Sequence, residues 1–426
     1  MSAHRLAAVL PVTILAAAMA AAEGRVDYAK DVDFALGELK KDCGHFFKRK
    51  DVDWKAVEKE FRKEVREVRD HAAHYKLLTR LVARLRDGHA SVRKLPAAEK
   101  VEWPDPPRGR QSGPGMFWCR SGGKILVKNA WSAAADSGVK PGMEVLEVED
   151  LPAGKWIERK TAERRDLMGF STEHQAFFAT CHWGLEGDEG STLKVALRSP
   201  DGKRHQPTIT RHRASTVPVG PAFFPEGMKQ SGRQSYGRTP GGFGFIHLRD
   251  VPGELPGQLD AMLADLGEMK GLVLDFRANG GGGCDHDAVF GRFVEKGTKW
   301  TRSPAPIPSA GERPFAGPMV VIVDAGCRSA GETMSGFFKE YGRARMIGES
   351  PTAGMSSSKK TIELPSGLFA LYVSVDSNMN RFNGGKGIEG IGIPPDEVVE
   401  YDARDLHEGR DTMIRRADEI LADAAK

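Results

Sequence analysis

The stretch that decides the fold is Gly271-Leu-Val-Leu-Asp275-Phe-Arg277-Ala-Asn279-Gly280-Gly281-Gly282-Gly283. Its apolar run, bounded by turn signals, predicts a fully buried strand. The four glycines leave backbone N–H groups that a ligand can approach closely, as an oxyanion hole requires. A nucleotide-binding phosphate loop is disfavoured, because no Gly-Lys-Ser/Thr follows and no Gly-x-Gly-x-x-Gly opens a helix.

A second decisive stretch follows along the chain, Met319-Val-Val-Ile-Val-Asp324-Ala-Gly-Cys-Arg-Ser329-Ala-Gly-Glu332. It predicts a buried strand that turns tightly into a helix. A hydroxyl at such a bend points outward, and the helix N-terminus favours nearby negative charge. Ser329 is therefore the candidate nucleophile. The alternative is that Ser329 only caps the helix, which serine does well in any protein.

The region around both stretches, residues 240–400, alternates between strand and helix patterns and predicts an α/β core. A hairpin with strands at 361–364 and 368–375 follows, joined by Pro365-Ser366-Gly367, and residues 401–426 contain a last helix. The predicted strands are 243–248, 271–276, 319–324 and 345–347, and the predicted helices are 255–267, 286–295 and 330–341.

Residues 23–102 are predicted to be helical. Apolar residues from Trp54 to Val68 recur every three or four positions, and Asp53 is the candidate N-cap. The next helix stops at Asp87-Gly88-His89, where glycine permits a sharp turn. His89 is thus placed at the end of an element, where functional groups are common.

A Pro- and Gly-rich linker at 103–115 precedes a β-rich unit at 113–213, with predicted strands at 124–128, 144–149 and 191–198. Residues 133–143 (Ala-Ala-Ala-Asp-Ser-Gly-Val-Lys-Pro-Gly-Met) resemble a segment of the PDZ domains of secreted proteases. That resemblance implies peptide binding by strand addition. Gly115, Met116 and Phe117 are the expected peptide-binding edge.

The N-terminus and the composition limit the protein class. Residues 1–22 combine Arg5, an apolar run and an alanine cluster, which predicts a cleaved signal peptide and an exported, periplasmic or extracellular protein. No later apolar run is long enough to span a membrane. The formal charge is only +4 and the basic residues are interleaved with acids, so no nucleic-acid partner is indicated.

Cysteine and metal-ligand residues are sparse. Five widely spaced cysteines describe no disulfide framework, although one bridge is possible. The segment Cys284-Asp285-His286-Asp287 has metal-ligand types, but adjacent residues rarely converge on one ion and no second cluster completes a site. We expect no metal and no organic cofactor.

The two decisive stretches together resemble the tail-specific (C-terminal-processing) and tricorn-core serine peptidases. This resemblance implies a PDZ-like domain before a crotonase-like peptidase core, and polypeptide substrates whose C-termini are one candidate point of capture; the oligomeric state stays open. It also implies Ser329 as nucleophile and the backbone N–H groups of Gly280 and Ala330 as oxyanion donors. The matching residues are Leu274, Asp275, Arg277, Asn279, Gly280 and Gly281; Ser329, Ala330 and Glu332; Tyr341, Gly342 and Arg343; Gly348 and Glu349.

The general base departs from the tail-specific pattern, because the lysine expected in residues 348–356 is missing. Lys359 and Lys360 follow, but they are expected to be solvated and therefore poor bases. His89, in an Asp-Gly-His-Ala context, resembles the base of the tricorn-type branch, and Glu389 resembles its orienting carboxylate. Their alternatives are a helix-capping histidine and a surface carboxylate. A histidine base predicts acylation with an apparent pKa near neutrality.

The sequence therefore predicts a serine endopeptidase with a Ser329-His89-Glu389 set. Its rival is a catalytically silent peptide-binding protein on the same fold.

Overall fold

The computed structural model describes residues 26–102, 112–213, 217, 219–376, 378, 380–424 and 426, so the expected signal peptide lies outside the described residues. The N-terminal region is helical, as predicted, and Asp53 caps the second helix by accepting the N–H of Ala56. One apolar face of each helix is buried in a shared core. Its helices are α1 (Tyr28–Phe47), α2 (Trp54–Glu64) and α3 (His71–Ala83), followed by strand β1 (Ser91–Lys94).

The β-rich unit is a sheet in the order β2-β3-β4-β6-β7, with β5 and β8 pairing beside it. Leu193, Val195 and Leu197 alternate inward along β6, which is the pattern of a half-buried strand. The elements are β2 (Met116–Ser121), β3 (Lys124–Ala130), α4 (Ser132–Asp136), β4 (Glu144–Val148), β5 (Leu151–Pro152), α5 (Ala153–Leu167), α6 (Glu173–His182), β6 (Thr192–Arg198), β7 (Arg204–His205) and β8 (Thr208–Thr210).

The α/β region is built on a sheet that runs β19-β16-β15-β12-β11-β10-β9. Its central strands pair in parallel and are buried on both faces, as their apolar sequences predict. The elements are β9 (Lys229–Ser231), β10 (Gln234–Arg238), β11 (Gly244–His247), α7 (Leu255–Leu266), β12 (Leu272–Asp275), α8 (His286–Gly291), β13 (Lys299–Trp300), β14 (Ile307–Pro308), β15 (Met319–Val323), α9 (Ala330–Glu340) and β16 (Arg345–Gly348).

The predicted hairpin joins the α/β region to the N-terminal helices. Its strands are β17 (Lys359–Glu363) and β18 (Phe369–Ser374), and β1 pairs with β18 through the register Ser91↔Tyr372. Apolar residues of the hairpin complete the helical core. The segment that follows α3 is consequently fixed beside β18. The chain ends with β19 (Glu397–Val398), α10 (Ala403–His407) and α11 (Thr412–Ala424).

A buried guanidinium joins the end of β12 to the C-terminal helices. Arg277 is fully buried; it bonds the Asp275 carboxylate at 2.6 Å, the Asp411 carboxylate at 2.8 Å and the Tyr401 hydroxyl at 3.1 Å. Although burial opposes it, this cation holds the pKa of Asp275 below its ordinary value. The network braces the strand that leads into the four glycines.

Substituting Arg277→Met leaves two buried carboxylates without their cation. We expect the free energy of unfolding to fall by about 3–5 kcal/mol, measured by urea denaturation. The control is Arg198→Met, because Arg198 forms an exposed pair with Glu144, and it should change stability by less than about 1 kcal/mol. Equal losses in the two variants would contradict a structural role for the buried network.

Candidate active site

Ser329 occupies a strained turn between β15 and α9. Its φ is 56°, in the left-handed region that non-glycine residues rarely adopt. Asp324, at the end of β15, fixes this turn because one carboxylate oxygen accepts the N–H groups of Gly326 and Cys327 at 2.9 and 3.0 Å. The sharp strand-to-helix bend expected from the sequence is present, and the Ser329 side chain stands at its apex.

Glu332 ties the nucleophile turn to the segment 352–355. Its carboxylate accepts the N–H of Ser329 at 3.1 Å and the hydroxyl of Thr352 at 2.6 Å. It also accepts the N–H groups of Gly354 and Met355 at 2.7 and 2.9 Å. Burial raises the pKa of Glu332 to about 7, even though these donors favour the ionised form. The sequence contained this glutamate in its motif but did not reveal its bracing role.

The glycine loop lies directly against Ser329. A Cβ on Gly281 would come within 2.7 Å of the Ser329 Cβ, and Gly281 has a φ of +80°, so a side chain does not fit there. The N–H of Ala330 begins helix α9, where no acceptor exists inside the helix. The N–H of Gly280, however, donates to the Arg249 carbonyl at 2.9 Å. The expectation that Gly280 offers a free oxyanion donor is therefore not met in this structure.

His89 and Ser329 line the same cleft of about 900 Å³, together with Gly280 and Met355. The Asp87 carboxylate holds the turn that carries the histidine, accepting the N–H of His89 at 2.8 Å. Among the described residues, no hydrogen bond joins the imidazole to the Ser329 hydroxyl. The fold thus brings the two predicted residues to one cleft from segments 240 positions apart without locking them together.

The imidazole of His89 is held in its neutral form. Burial, followed by the positive charge of Lys359, lowers the pKa of His89 to about 4. A neutral imidazole is the form that a general base requires. This lowered pKa differs from the apparent pKa near neutrality expected for acylation, because an isolated sequence shows neither the burial nor the nearby cation.

Glu389 is fully buried rather than a surface carboxylate. Its Oε1 accepts the Lys50 ammonium at 2.6 Å and the Ser171 hydroxyl at 2.8 Å, and Ser171 in turn accepts the N–H of Gly88 at 3.0 Å. Among the described residues, Nδ1 of His89 is buried without a hydrogen-bond partner, so it does not bond Glu389 as a completed triad requires. Sequence reasoning missed Lys50 and Ser171, because nothing local links them to this site.

Both lysines were expected on the solvated surface. Lys360 lies there, but Lys359 is partly buried. Lys360 is exposed and pairs with Asp42 at 2.7 Å. Lys359, the first residue of β17, is half-buried, and burial lowers its pKa despite the nearby carboxylates of Asp87 and Glu389. The two lysines alternate across one strand, so only the first faces the catalytic side.

The side chains of the expected peptide-binding edge are buried. Gly115, Met116 and Phe117 all lie inside the unit, Met116 in the core of the β-rich unit and Phe117 against the rings of Trp131 and His182. The Gly115 carbonyl also accepts the Trp131 N–H at 2.7 Å. Peptide binding through the backbone of this segment stays a prediction, and β2 is the edge strand of its sheet.

The cysteines form no disulfide in this structure, and two of the candidate metal ligands take part in helix capping and ring packing. All five cysteines are free thiols. Asp285 caps α8, and the His286 ring packs edge-on against Phe337. Within the described ranges, no group of three or more potential ligand side chains is placed to hold a metal ion.

A second cavity of about 610 Å³ adjoins the cleft. It lies between β2, helices α5 and α6, and the ends of β15 and β16, and it shares Phe178 and Ala325 with the cleft. Its walls include the exposed Arg120, whose guanidinium lies 4.2 Å from the Phe177 ring centre.

No helix in the described part of the chain is long and apolar enough to cross a membrane.

Solved structures share this fold over nearly the whole chain. The crystal structure of mature CPAF matches with a TM-score of 0.65 and 12% identity, covering 93% of this chain and 97% of that one. A peptidase structure described as putative, from Parabacteroides merdae, matches with a TM-score of 0.52 and 18% identity, covering 93% and 97%. At these identities the likeness establishes the fold alone.

Sequence relatives point to one family. A carboxy-terminal-processing protease of Bartonella bacilliformis is 28% identical over 192 residues, which are 42% of this chain and 43% of that protein. A tricorn protease homolog of Saccharolobus solfataricus is 29% identical over 192 residues, 43% of this chain and 17% of that protein. The chain thus spans less than half the length of these two relatives. Residues 242–399, which include the glycine loop and Ser329, match peptidase family S41, so the chain contains a domain of that family.

Proposed function

We propose that the chain is a serine endopeptidase of the tail-specific type, with Ser329 as nucleophile and His89 as general base. The observation that carries the proposal is the shared cleft, which is lined by the His89 imidazole, by a serine at a strained helix N-terminus and by Gly280 of the glycine loop. The bond from the Ser329 N–H to Glu332 is part of a helix capping box and fits the alternative, a silent peptide-binding protein, equally well, so the labelling experiment below decides between the two.

The reaction proceeds in two halves. Nε2 of His89 takes the Ser329 hydroxyl proton as Oγ attacks the carbonyl carbon of a peptide bond. The tetrahedral intermediate collapses when the imidazolium gives that proton to the departing amine, which leaves an acyl ester on Ser329. A water molecule then repeats the sequence with His89 as base, releasing the acid and restoring the hydroxyl.

The oxyanion is stabilised by the N–H of Ala330 and by the glycine loop. The N-terminus of α9 adds a favourable dipole at the same place. Gly280 contributes only after its bond to the Arg249 carbonyl opens, which substrate binding would have to bring about. The loop is exposed to the cleft at Gly280, so a substrate carbonyl can reach it there.

The substrate is a polypeptide. The cleft is open and bordered by apolar side chains such as Val82, Phe178 and Met355, which suits an extended chain with apolar residues. The PDZ-like unit contributes the adjoining cavity along β2 rather than the buried Gly115-Met116-Phe117 edge. We place the mature protein outside the cytoplasm on the strength of the N-terminal signal pattern in residues 1–22.

A fluorophosphonate probe tests the nucleophile and the base. It should label the wild-type protein and fail to label Ser329→Ala, while His89→Ala should be labelled about 100- to 10,000-fold more slowly. The controls are Ser137→Ala and His212→Ala, two exposed residues of the β-rich unit, which should be labelled at the wild-type rate. A folded wild-type protein that no probe labels would favour the silent binding protein. Full activity in His89→Ala with none in Lys359→Ala would place the base on the lysine instead.

The pH dependence of acylation tests the state of the imidazole. Because the pKa of His89 is lowered to about 4, the base is already neutral at pH 6, where an ordinary histidine is largely protonated. The acylation rate should therefore stay nearly level between pH 6 and 8 and fall only as the pH approaches 4. The measurement is the rate of probe labelling across this range in a constant-ionic-strength buffer. Because Glu332 beside Ser329 has a pKa of about 7, a halving near pH 6.5 contradicts the buried, cation-flanked imidazole only if it persists in Glu332→Gln.

Removing Lys50 tests the support of Glu389. Lys50→Met leaves a fully buried carboxylate without its cation, and we expect a loss of about 3–5 kcal/mol in the free energy of unfolding. The double variant Lys50→Met/Glu389→Gln should recover a large part of that loss, because no uncompensated charge remains. Lys40→Met, which removes an exposed partner of Glu58, is the control and should be close to neutral. No recovery in the double variant would show that Lys50 acts through packing alone.

A further inference from the structure

Lys359 has its ammonium partly withdrawn from water without a direct partner in the described part of the chain. It is half-buried at the start of β17, and no hydrogen bond or ion pair of its ammonium is found among the described residues. Its neighbour Lys360 is exposed and ion-paired. Removing a charge from water without a direct partner costs free energy, so such a residue needs a reason to be there.

The strand pairing fixes Lys359 in relation to His89. Lys359 pairs across the hairpin with Ser374, whose N–H donates to Oδ2 of Asp87 at 2.8 Å. Oδ1 of the same carboxylate accepts the N–H of His89 at 2.8 Å. One buried side chain therefore holds both the backbone of the histidine and the backbone opposite the lysine.

Several buried polar atoms on these segments have no hydrogen-bond partner among the described residues. Nδ1 of His89 and the hydroxyl of Ser374 are buried without hydrogen-bond partners in the described part of the chain, as is the hydroxyl of Ser357 on the approach to β17. The imidazole and the ammonium thus interact through space rather than through a fixed donor–acceptor pair.

The charges around the two groups are unequal. Three cations act on the imidazole, namely Lys359, Arg328 from the nucleophile turn and Lys50 from the end of α1, against one carboxylate, Asp87. Lys359 in turn lies among the carboxylates of Asp87, Glu389 and Glu332. A protonated His89 would add a fourth positive charge to its own surroundings, whereas the lysine has acids enough to remain charged.

Resting on the proposed function, we propose that Lys359 is a positioning residue whose ammonium charge keeps the His89 imidazole neutral, so that the base stays available in acidic surroundings. The lysine does not touch the reacting atoms. Its charge also makes the transient imidazolium a stronger acid, which favours proton delivery to the departing amine.

The direct test is a titration that needs no activity. In the full-length Ser329→Ala chain, the His89 Cε1–H resonance is assigned by its loss in His89→Gln and followed by NMR against pH. The midpoint should lie below pH 5. Lys359→Met should raise the proton affinity of His89 about tenfold, since it removes the second-largest influence on the imidazole.

Three further variants separate charge from packing. Lys359→Arg keeps the charge and should hold the His89 midpoint low, and Lys359→Gln should reproduce the effect of Lys359→Met with a polar side chain. Lys360→Met, the adjacent exposed lysine, should leave the midpoint unchanged. An unchanged midpoint in both Lys359→Met and Lys359→Gln would overturn the proposal, as would an equal rise in Lys360→Met.

Probe labelling with Ser329 intact distinguishes this inference from the proposed function. Lys359→Met should be labelled at pH 8 within a few-fold of wild type, and its rate should decline at a higher pH than wild type does. If no variant is labelled while the NMR midpoint still moves, the peptidase function fails and the positioning role stands. If Lys359→Met is unlabelled at every pH, the lysine is itself the base and the proposal is wrong.

Discussion

The carboxylate of Asp324 is the contact on which the site depends. A single oxygen accepts the N–H of Ala278, which precedes the glycine loop, at 2.8 Å, and also two N–H groups of the nucleophile turn. Parallel strands bring both segments to one edge of the sheet, and this side chain then fixes the distance between them. Burial raises the pKa of Asp324, so the fold pays a desolvation cost to hold the two motifs together.

Buried carboxylates that accept backbone N–H groups are also found where the other segments of the site meet. Glu332 accepts backbone N–H groups from the segment 352–355, and Asp87 accepts one from His89 and one from Ser374. A hydrogen bond to a charged acceptor contributes about 1.5–3 kcal/mol, more than a neutral one. A backbone donor also loses no side-chain rotamer freedom when such a bond forms. Buried carboxylates therefore join the helical region, the hairpin and the α/β core with few contacts, and they leave the cleft itself open.

Local patterns predicted most elements of the α/β core, because buried parallel strands and capped helices can be recognised from a few consecutive residues. The nucleophile turn was predictable for the same reason. What the sequence could not show was the docking of the hairpin onto the N-terminal helices, since that depends on cross-strand register. Lys50, Ser171 and Lys359 acquire their roles only through this docking. Helix α8 ended at Gly291 rather than at 295, and the Gly280 N–H was already engaged by a carbonyl distant in sequence.

In the proposed site the base and the nearby cation are different residues. The lysine that the resemblance to tail-specific peptidases leads one to expect after Gly-Glu is missing, and the run Thr352-Ala353-Gly354-Met355 ends in a buried methionine that lines the cleft. Lys359 stands four residues later, and its charge acts on the imidazole although it does not line the cleft. An ammonium would have to lose its proton before acting as a base, whereas a neutral imidazole accepts a proton at once. If His89 is the base, the lysine charge keeps it neutral over a wider pH range and lowers its basicity in return.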